Sequence, residues 1–209
     1  MATPLPELLL PDAASWRDWL REHHATHAGV RLVVHKKGGA VTSLTRAAAL
    51  DEALCFGWID GQAGSRDAGS YLLRFTRRRR GSAWSAINVG LVDRLAAEGR
   101  MEAAGIAEVD AARADGRWDA AYAGAASAQL PPELVEAFAG HPVAREAYDR
   151  LNGTNRFALY YRIHTLKRAE SKVRKAAEYV AMLEAGQAPY AQQGFAEAPK
   201  RARTPAAGS

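Results

Sequence analysis

The segment WIDG at residues 58–61, followed by SYLLRFT at residues 70–76, decides the fold of the first half of the chain. Both stretches are rich in aromatic and β-branched residues, and the intervening Asp67-Ala68-Gly69 has the composition of a turn. They therefore predict two strands of a hairpin. A third strand is predicted over residues 30–35, which read VRLVVH.

Helical periodicity surrounds these strands. Apolar residues recur at helical spacing in four segments, which predict helices over about 16–27, 47–56, 84–98 and 101–114. Thr45 is suited to cap the second of these helices, and Ser82 or Ser85 the third.

No strand pattern recurs after residue 101. Pro131-Pro132 and Pro142 stand where proline is favoured at helix starts, and Thr154 and Ser171 are predicted caps of two later helices. We therefore expect an α+β fold, with a small mixed or antiparallel sheet and packed helices, followed by an all-helical C-terminal half.

The same patterns predict the domain organisation. Residues 12–123 form an α+β domain that contains the hairpin, and residues 130–186 form a helical subdomain. Residues 187–209 are rich in Gln, Ala and Pro, and we expect them to be disordered.

The composition excludes several classes of protein. Of the 209 residues, 48% are hydrophobic and 24% are charged, which argues against a wholly disordered chain or a collagen-like repeat. Cys55 is the one cysteine, so no disulfide can form within the chain. No signal-peptide pattern and no apolar run of membrane-spanning length is present, and we expect a cytoplasmic protein without a membrane span.

The positive charge is concentrated in two segments. The formal net charge is +5, yet residues 66–80 alone hold six arginines against one aspartate. Residues 162–175 hold six basic residues against one glutamate. The rest of the chain is therefore net acidic, and the excess positive charge lies in these two segments alone.

The first basic segment lies within the main candidate site, which extends over the hairpin and the start of the next helix in residues 54–101. Arginines precede a predicted helix N-terminus, whose free N–H groups favour an anion, and tryptophans nearby offer stacking faces. The competing structural interpretation is a solvated basic loop, with a tryptophan in the core and an ion pair between Asp60 and Arg74. The candidate ligand-binding residues are Trp58, Asp60, Arg74, Arg77, Ser82, Trp84, Ser85 and Asn88.

The second basic segment has two interpretations. Its bases form either a binding face for nucleic acid or another anionic partner, or a solvated helix face. The residues concerned are Lys167, Arg168, Lys172 and Arg174.

The sequence resembles the YdeI/OmpD-associated family, which is described as bacteriocin-protection proteins. The resemblance extends over about residues 15–186, and one departure is Arg77, which stands where the family typically has proline. The matching stretches are ALCFGWIDG at 53–61, RFT at 74–76, SAWSAINV at 82–89, GRM at 99–101, DGRW at 115–118 and KRAESKVR at 167–174.

The resemblance implies a role in tolerance of antimicrobial peptides or envelope stress, and it implies no particular reaction or cofactor. We expect a non-enzymatic stress or resistance protein that binds a peptide, a small anionic ligand or a protein partner at this junction of the hairpin and the next helix. One alternative is a nucleic-acid-binding protein that uses both basic segments. Another is an enzyme with Asp60 as base and Arg74 as anion clamp. His23 and His27 stand four residues apart, but no third ligand is evident, so no metal is predicted.

Overall fold

The computed structural model describes residues 5–195, and the chain divides into two compact units, Met1–Ala121 and Tyr122–Ser209. Within the described residues, helices account for 46% and strands for 14%, which confirms the predicted α+β class. The elements of the N-terminal unit are β1 (Glu7–Leu8), α1 (Ala13–His23), β2 (Gly29–His35), α2 (Arg46–Cys55), β3 (Trp58–Ser65), β4 (Ser70–Arg77), α3 (Ala86–Ala97) and α4 (Ala103–Ala114).

The sheet has four strands in the order β1-β2-β4-β3. β1 pairs with β2 in parallel, whereas β2 with β4 and β3 with β4 are antiparallel, so the sheet is mixed. β3 and β4 form the predicted hairpin. The two-residue strand β1 was not predicted from the sequence, because it is too short to show an alternating pattern.

One face of the sheet carries the core of the N-terminal unit. Strand residues alternate between faces, so the paired Val30 and Phe75 point to the same side, where helices cover them. Trp16 of α1 packs on Phe75 with ring centroids 5.6 Å apart, and its Nε1 donates to the Ala49 carbonyl in α2 at 3.1 Å. The opposite face of β2 and β4 carries the paired Arg31 and Arg74, both exposed.

Two glycines shape the chain where α2 ends and β3 begins. Gly57 adopts φ +73°, a conformation that favours glycine, as expected for a residue that ends a helix. Gly105 of α4 lies so close to α2 that a Cβ atom there would be 2.2 Å from the Cys55 carbonyl oxygen. Helix α4 can therefore pack directly against the end of α2.

Side-chain caps begin three helices of this unit. The Ser15 N–H donates to Asp12 at 2.8 Å, and the Ala48 N–H donates to Thr45 at 3.1 Å. Of the two serines considered for α3, Ser85 is the cap, since its hydroxyl accepts from the Asn88 N–H at 3.1 Å.

The C-terminal unit is built from helices around a core of its own, which includes Leu134, Leu159 and Leu183. Two predicted caps are wrong: Asn152 caps α7 in place of Thr154, and α8 starts after Arg168 in place of Ser171. The four helices are α5 (Pro132–Ala137), α6 (Pro142–Asp149), α7 (Gly153–His164) and α8 (Ala169–Glu184).

Part of the segment for which the sequence predicts disorder is described, and it packs on the helices. The fully buried Asn155 bonds to the backbone of Tyr190, and Phe195 is buried. The physical reason is that two aromatic side chains within residues 187–195 find partners that composition alone does not reveal. Residues 196–209 lie outside the described residues.

Across residues 5–195, no helix combines the length and the apolar character needed to cross a bilayer.

Candidate functional site

The arginines at the end of β4 line a pocket of about 360 Å³, which we call the arginine pocket. None of the described residues that line it is acidic. A pocket of this size suits a small ligand. Its lining residues are Leu5, Ala28 and Thr76, beside Arg74, Arg77, Arg78 and Arg79.

Strand register places a further arginine beside this pocket. Arg31 of β2 stands directly opposite Arg74 of β4, so both side chains project from the open face of the sheet. Arg31 donates through Nε to the Leu5 carbonyl at 3.0 Å. The Arg74 side chain makes no hydrogen bond or ion pair within residues 5–195. Like charges directly opposite each other are unfavourable, and a bound anion would relieve that repulsion.

One acidic residue lies near this arginine pair. Glu7 of β1 stands opposite Arg31 in the parallel pairing, but its carboxylate accepts from the Arg66 Nε at 2.8 Å. Arg66 also pairs with Asp67 at 2.5 Å, so two carboxylates serve that guanidinium. The geometry therefore leaves the positive charge of Arg74 uncompensated by an ion pair.

The other pocket arginines are held at different depths. Arg77 is exposed and donates one hydrogen bond to the Ala25 carbonyl at 3.0 Å. Arg79 is also exposed, and its backbone N–H donates to the Ser82 hydroxyl at 3.1 Å. Arg78 is buried against Trp84, with its guanidinium carbon 3.5 Å from the ring centroid. Arg77 and Arg79 can thus turn toward a ligand, while Arg78 supports the wall.

The predicted pairing of Asp60 with Arg74 is wrong. Asp60 stands opposite Phe75 on β4, which puts its side chain on the other face of the sheet from Arg74. Its carboxylate accepts instead from Arg46 of α2 at 2.8 Å. The physical reason is the two-residue period of a strand, together with a shift of register between Asp60 and Ala63. The opposite orientation of the two side chains therefore argues against an enzyme site built on Asp60 and Arg74.

The two tryptophans expected to stack on a ligand are core residues. Trp58 is 0% exposed, and its Nε1 donates to the His24 carbonyl at 3.2 Å. Trp84 is 2% exposed and lies between Arg78 and Trp118. Neither ring offers an open face, because a large aromatic side chain stabilises the fold most when it is buried.

The three remaining polar candidates serve the start of α3. Ser85 and Asn88 are buried and bonded to each other at the cap, and Ser82 holds the Arg79 backbone. None of the three lines the arginine pocket. Of the eight residues proposed from the sequence, the structure brings Arg74 and Arg77 together there.

Sequence reasoning missed Leu5, Ala28, Arg31 and Thr76 near the pocket. They come from three separate segments, and the alternation of β2 would have placed Arg31 on the open face only once its pairing partner was known. The second basic face lies in the C-terminal unit. Lys167 and Arg168 precede α8, Arg174 is exposed on it, and Lys172 lies 3.7 Å from Glu133.

Cys55 lies beside a partly buried ion network that joins α1, α2 and the loop between α3 and α4. Glu52 of α2 accepts from Arg17 at 2.7 Å and from Arg100 at 2.6 Å, and Arg17 also reaches Glu102 at 2.6 Å. Burial raises the pKa of the Cys55 thiol, which opposes its reactivity. Within residues 5–195, no group of three or more His, Cys, Asp or Glu side chains is placed to hold a metal ion.

Residues 127–186 match the family described as Bacteriocin-protection, YdeI or OmpD-Associated. The match covers nearly all of the helical C-terminal unit up to the end of α8, and it includes the stretch KRAESKVR at 167–174. It supports a bacteriocin-protection-like role at the level of the family.

The N-terminal unit matches a different family. Residues 8–108 match one described as a domain of unknown function, DUF8412, and they contain the sheet, most of the arginine pocket and the stretches 53–61 and 82–89. The bacteriocin-protection match therefore covers residues 127–186 of the predicted resemblance, whereas the stretches 53–61 and 82–89 lie in the other match. Comparison with the curated proteins and with the solved structures finds no match.

Proposed function

We propose that this protein is a bacteriocin-protection-like protein whose N-terminal unit binds a small, multiply charged anion in the arginine pocket. The observation that carries the proposal is the placement of Arg74. Its guanidinium lies in a pocket with three further arginines, opposite Arg31, and has no ion-pair partner within the described residues.

The chemistry of the arginine side chain favours phosphate or carboxylate groups as the ligand. A guanidinium presents planar pairs of N–H donors that match two oxygens of such a group, and it stays charged at any physiological pH. Arg77 and Arg79 can add donors from the loop that follows β4, while Leu5 and Ala28 give the pocket an apolar side. A pyrophosphate or a tricarboxylate has the size and charge for this arrangement.

A peptide or protein partner with an acidic segment would use the same arginines, as would a nucleic acid. These ligands can be distinguished from a small anion by how strongly their binding affinity depends on salt concentration. Nucleic-acid binding weakens steeply as salt rises, because several phosphate contacts release counterions. A cytoplasmic location stays a prediction from the sequence.

The decisive experiment is calorimetric titration of the purified full chain with pyrophosphate, citrate and a short single-stranded DNA at constant ionic strength. We expect saturable binding of pyrophosphate or citrate. Arg74→Gln should weaken it about tenfold or more, because a hydrogen bond to a charged group contributes about 1.5–3 kcal/mol. Arg21→Gln is the matched control, since Arg21 is an exposed arginine of α1 in the same unit.

Two results would contradict the proposal. One is the absence of binding by either small anion. The other is an equal loss of affinity in Arg74→Gln and Arg21→Gln, which would indicate general charge attraction. Tight, salt-sensitive binding of the DNA alone would favour the nucleic-acid alternative.

A further inference from the structure

A groove of about 490 Å³ runs between α5 and α8 in the C-terminal unit. Its floor is apolar and made of short side chains: Ala137 from α5, and Val173, Ala177 and Val180 from α8. The α8 residues recur at intervals of three and four, so they form one continuous stripe along the helix. Small residues in this stripe leave room for the side chains of a guest.

Part of the apolar floor is open to solvent, whereas Val180 at one end is buried. Val173 is 55% exposed, and Ala137 is only partly buried. Single apolar residues on a surface are common, but this stripe lies in a concave groove. Such a groove is the form in which proteins receive an amphipathic helix.

The rim of the groove is acidic. Glu133, Glu136 and Glu184 line it, and no lysine or arginine does. Glu184 accepts from His141 at 2.9 Å, and Glu133 lies 3.7 Å from Lys172. Glu136 has no ion pair within the described residues.

The nearby positive charges do not cancel this rim. Lys172 and Arg174 are the bases of α8 nearest the start of the stripe, and Lys172 serves Glu133 alone. Within the described residues, Glu136 is therefore open to a cation from a guest, whereas a cation that reaches Glu184 would compete with His141.

We propose that this groove binds a cationic amphipathic peptide, with apolar side chains on the alanine and valine floor and lysines or arginines at Glu136 and Glu184. The choice of occupant rests on charge complementarity between a basic guest and the acidic rim. The site differs from the arginine pocket in its unit, its charge and its ligand, so either proposal can fail without the other.

The probe is a fluorescently labelled 14-residue peptide, two repeats of Lys-Leu-Ala-Lys-Leu-Ala-Lys, titrated with the purified full chain and followed by anisotropy. Two matched peptides replace every Lys by Glu, or every Leu by Ser. We expect binding of the first peptide at low salt, weaker binding at about 0.5 M salt because the ion pairs are screened, and none of the glutamate peptide. The serine peptide should bind at least several-fold more weakly than the leucine peptide.

The variants separate the groove from the general surface. Glu136→Gln with Glu184→Gln should weaken binding about tenfold, as expected for two partly exposed ion pairs lost together. Glu146→Gln with Glu178→Gln removes the same charge from α6 and α8 outside the groove, and we expect less than a twofold change. Ala177→Phe fills an exposed position of the floor and should abolish binding, with circular dichroism and the urea midpoint confirming that each variant folds.

The proposal is overturned if the wild-type chain does not bind the leucine peptide at low salt. Equal losses in the two glutamate pairs would also overturn it, as would equal binding of the serine and leucine peptides. A wild-type dimer in light scattering that Ala177→Phe disperses would instead assign the groove to a second copy of the chain.

Discussion

The guanidinium carbon of Arg78 lies 3.5 Å from the centroid of the Trp84 ring, and the two residues are 6% and 2% exposed. Trp84 packs in turn against Trp118, with ring centroids 4.9 Å apart. One member of the arginine run is therefore a core residue. It ties the loop after β4 to the start of α3 and so holds the wall of the arginine pocket.

The stacked pair makes a measurable contribution to stability. Arg78→Met keeps a long apolar side chain but removes the charge over the ring, so we expect unfolding free energy to fall by about 1–2 kcal/mol. Arg79→Met changes the exposed neighbour and should stay within about 0.5 kcal/mol of the wild type. Urea unfolding followed by tryptophan fluorescence measures both. Equal effects of the two substitutions would mean that the stacking geometry contributes nothing specific.

Two helical glycines should respond oppositely to alanine, because Gly105 lies in the close contact between α4 and α2 and Gly90 lies in open space. Gly105→Ala places a Cβ 2.2 Å from the Cys55 carbonyl oxygen, so the helices must move apart, and we expect a loss of about 2–3 kcal/mol. Gly90→Ala in α3 meets nothing within 4 Å and should add about 0.5–1 kcal/mol, because alanine favours a helix interior. Thermal unfolding of the two single variants provides the test. A Gly105→Ala chain as stable as the wild type would show that this contact is loose.

Local sequence patterns predicted most of the helices and strands. The element that they missed depends on pairing between strands. The hairpin, β2, and the caps Thr45 and Ser85 follow from residue types that act over three or four positions. β1 was missed because two residues carry no period, and its strand state comes from pairing with β2.

The same division applies to the candidate site. The density of arginines indicated the right region, but the partner of each arginine depends on register. Alternation and the shift after Asp60 put that carboxylate with Arg46, and cross-strand pairing put Arg31 opposite Arg74. Burial of Arg78 is a tertiary effect that no local composition reveals.

The cap of α1 gives a prediction for pH dependence. The hydrogen bond from the Ser15 N–H lowers the pKa of the Asp12 carboxyl below its ordinary value of 3.8. The stabilisation by the carboxylate is therefore complete above about pH 3.8 and is lost as pH falls through the lower folded-state pKa. We expect the stability difference between the wild type and Asp12→Ala to be largest near about pH 5 and to shrink toward about pH 2. Urea midpoints at several pH values measure it, and a constant difference would show that the charge of Asp12 is irrelevant to the cap.

Hydrogen bonds of Asn155 fix the segment that follows α8, and they give a prediction for its stability. Its side chain is fully buried, accepts from the Tyr190 N–H at 2.8 Å, and donates to the Tyr190 carbonyl at 3.2 Å and to Gln192 at 3.1 Å. Asn155→Ala leaves these groups without a partner, so we expect a loss of about 2–3 kcal/mol and faster hydrogen exchange at the Tyr190 amide. Thr154→Ala is the matched control, since Thr154 is the exposed neighbour on the same helix. If Tyr190 exchanges at the same rate in both variants, the segment is held by its apolar contacts, such as those of Phe195, and not by Asn155.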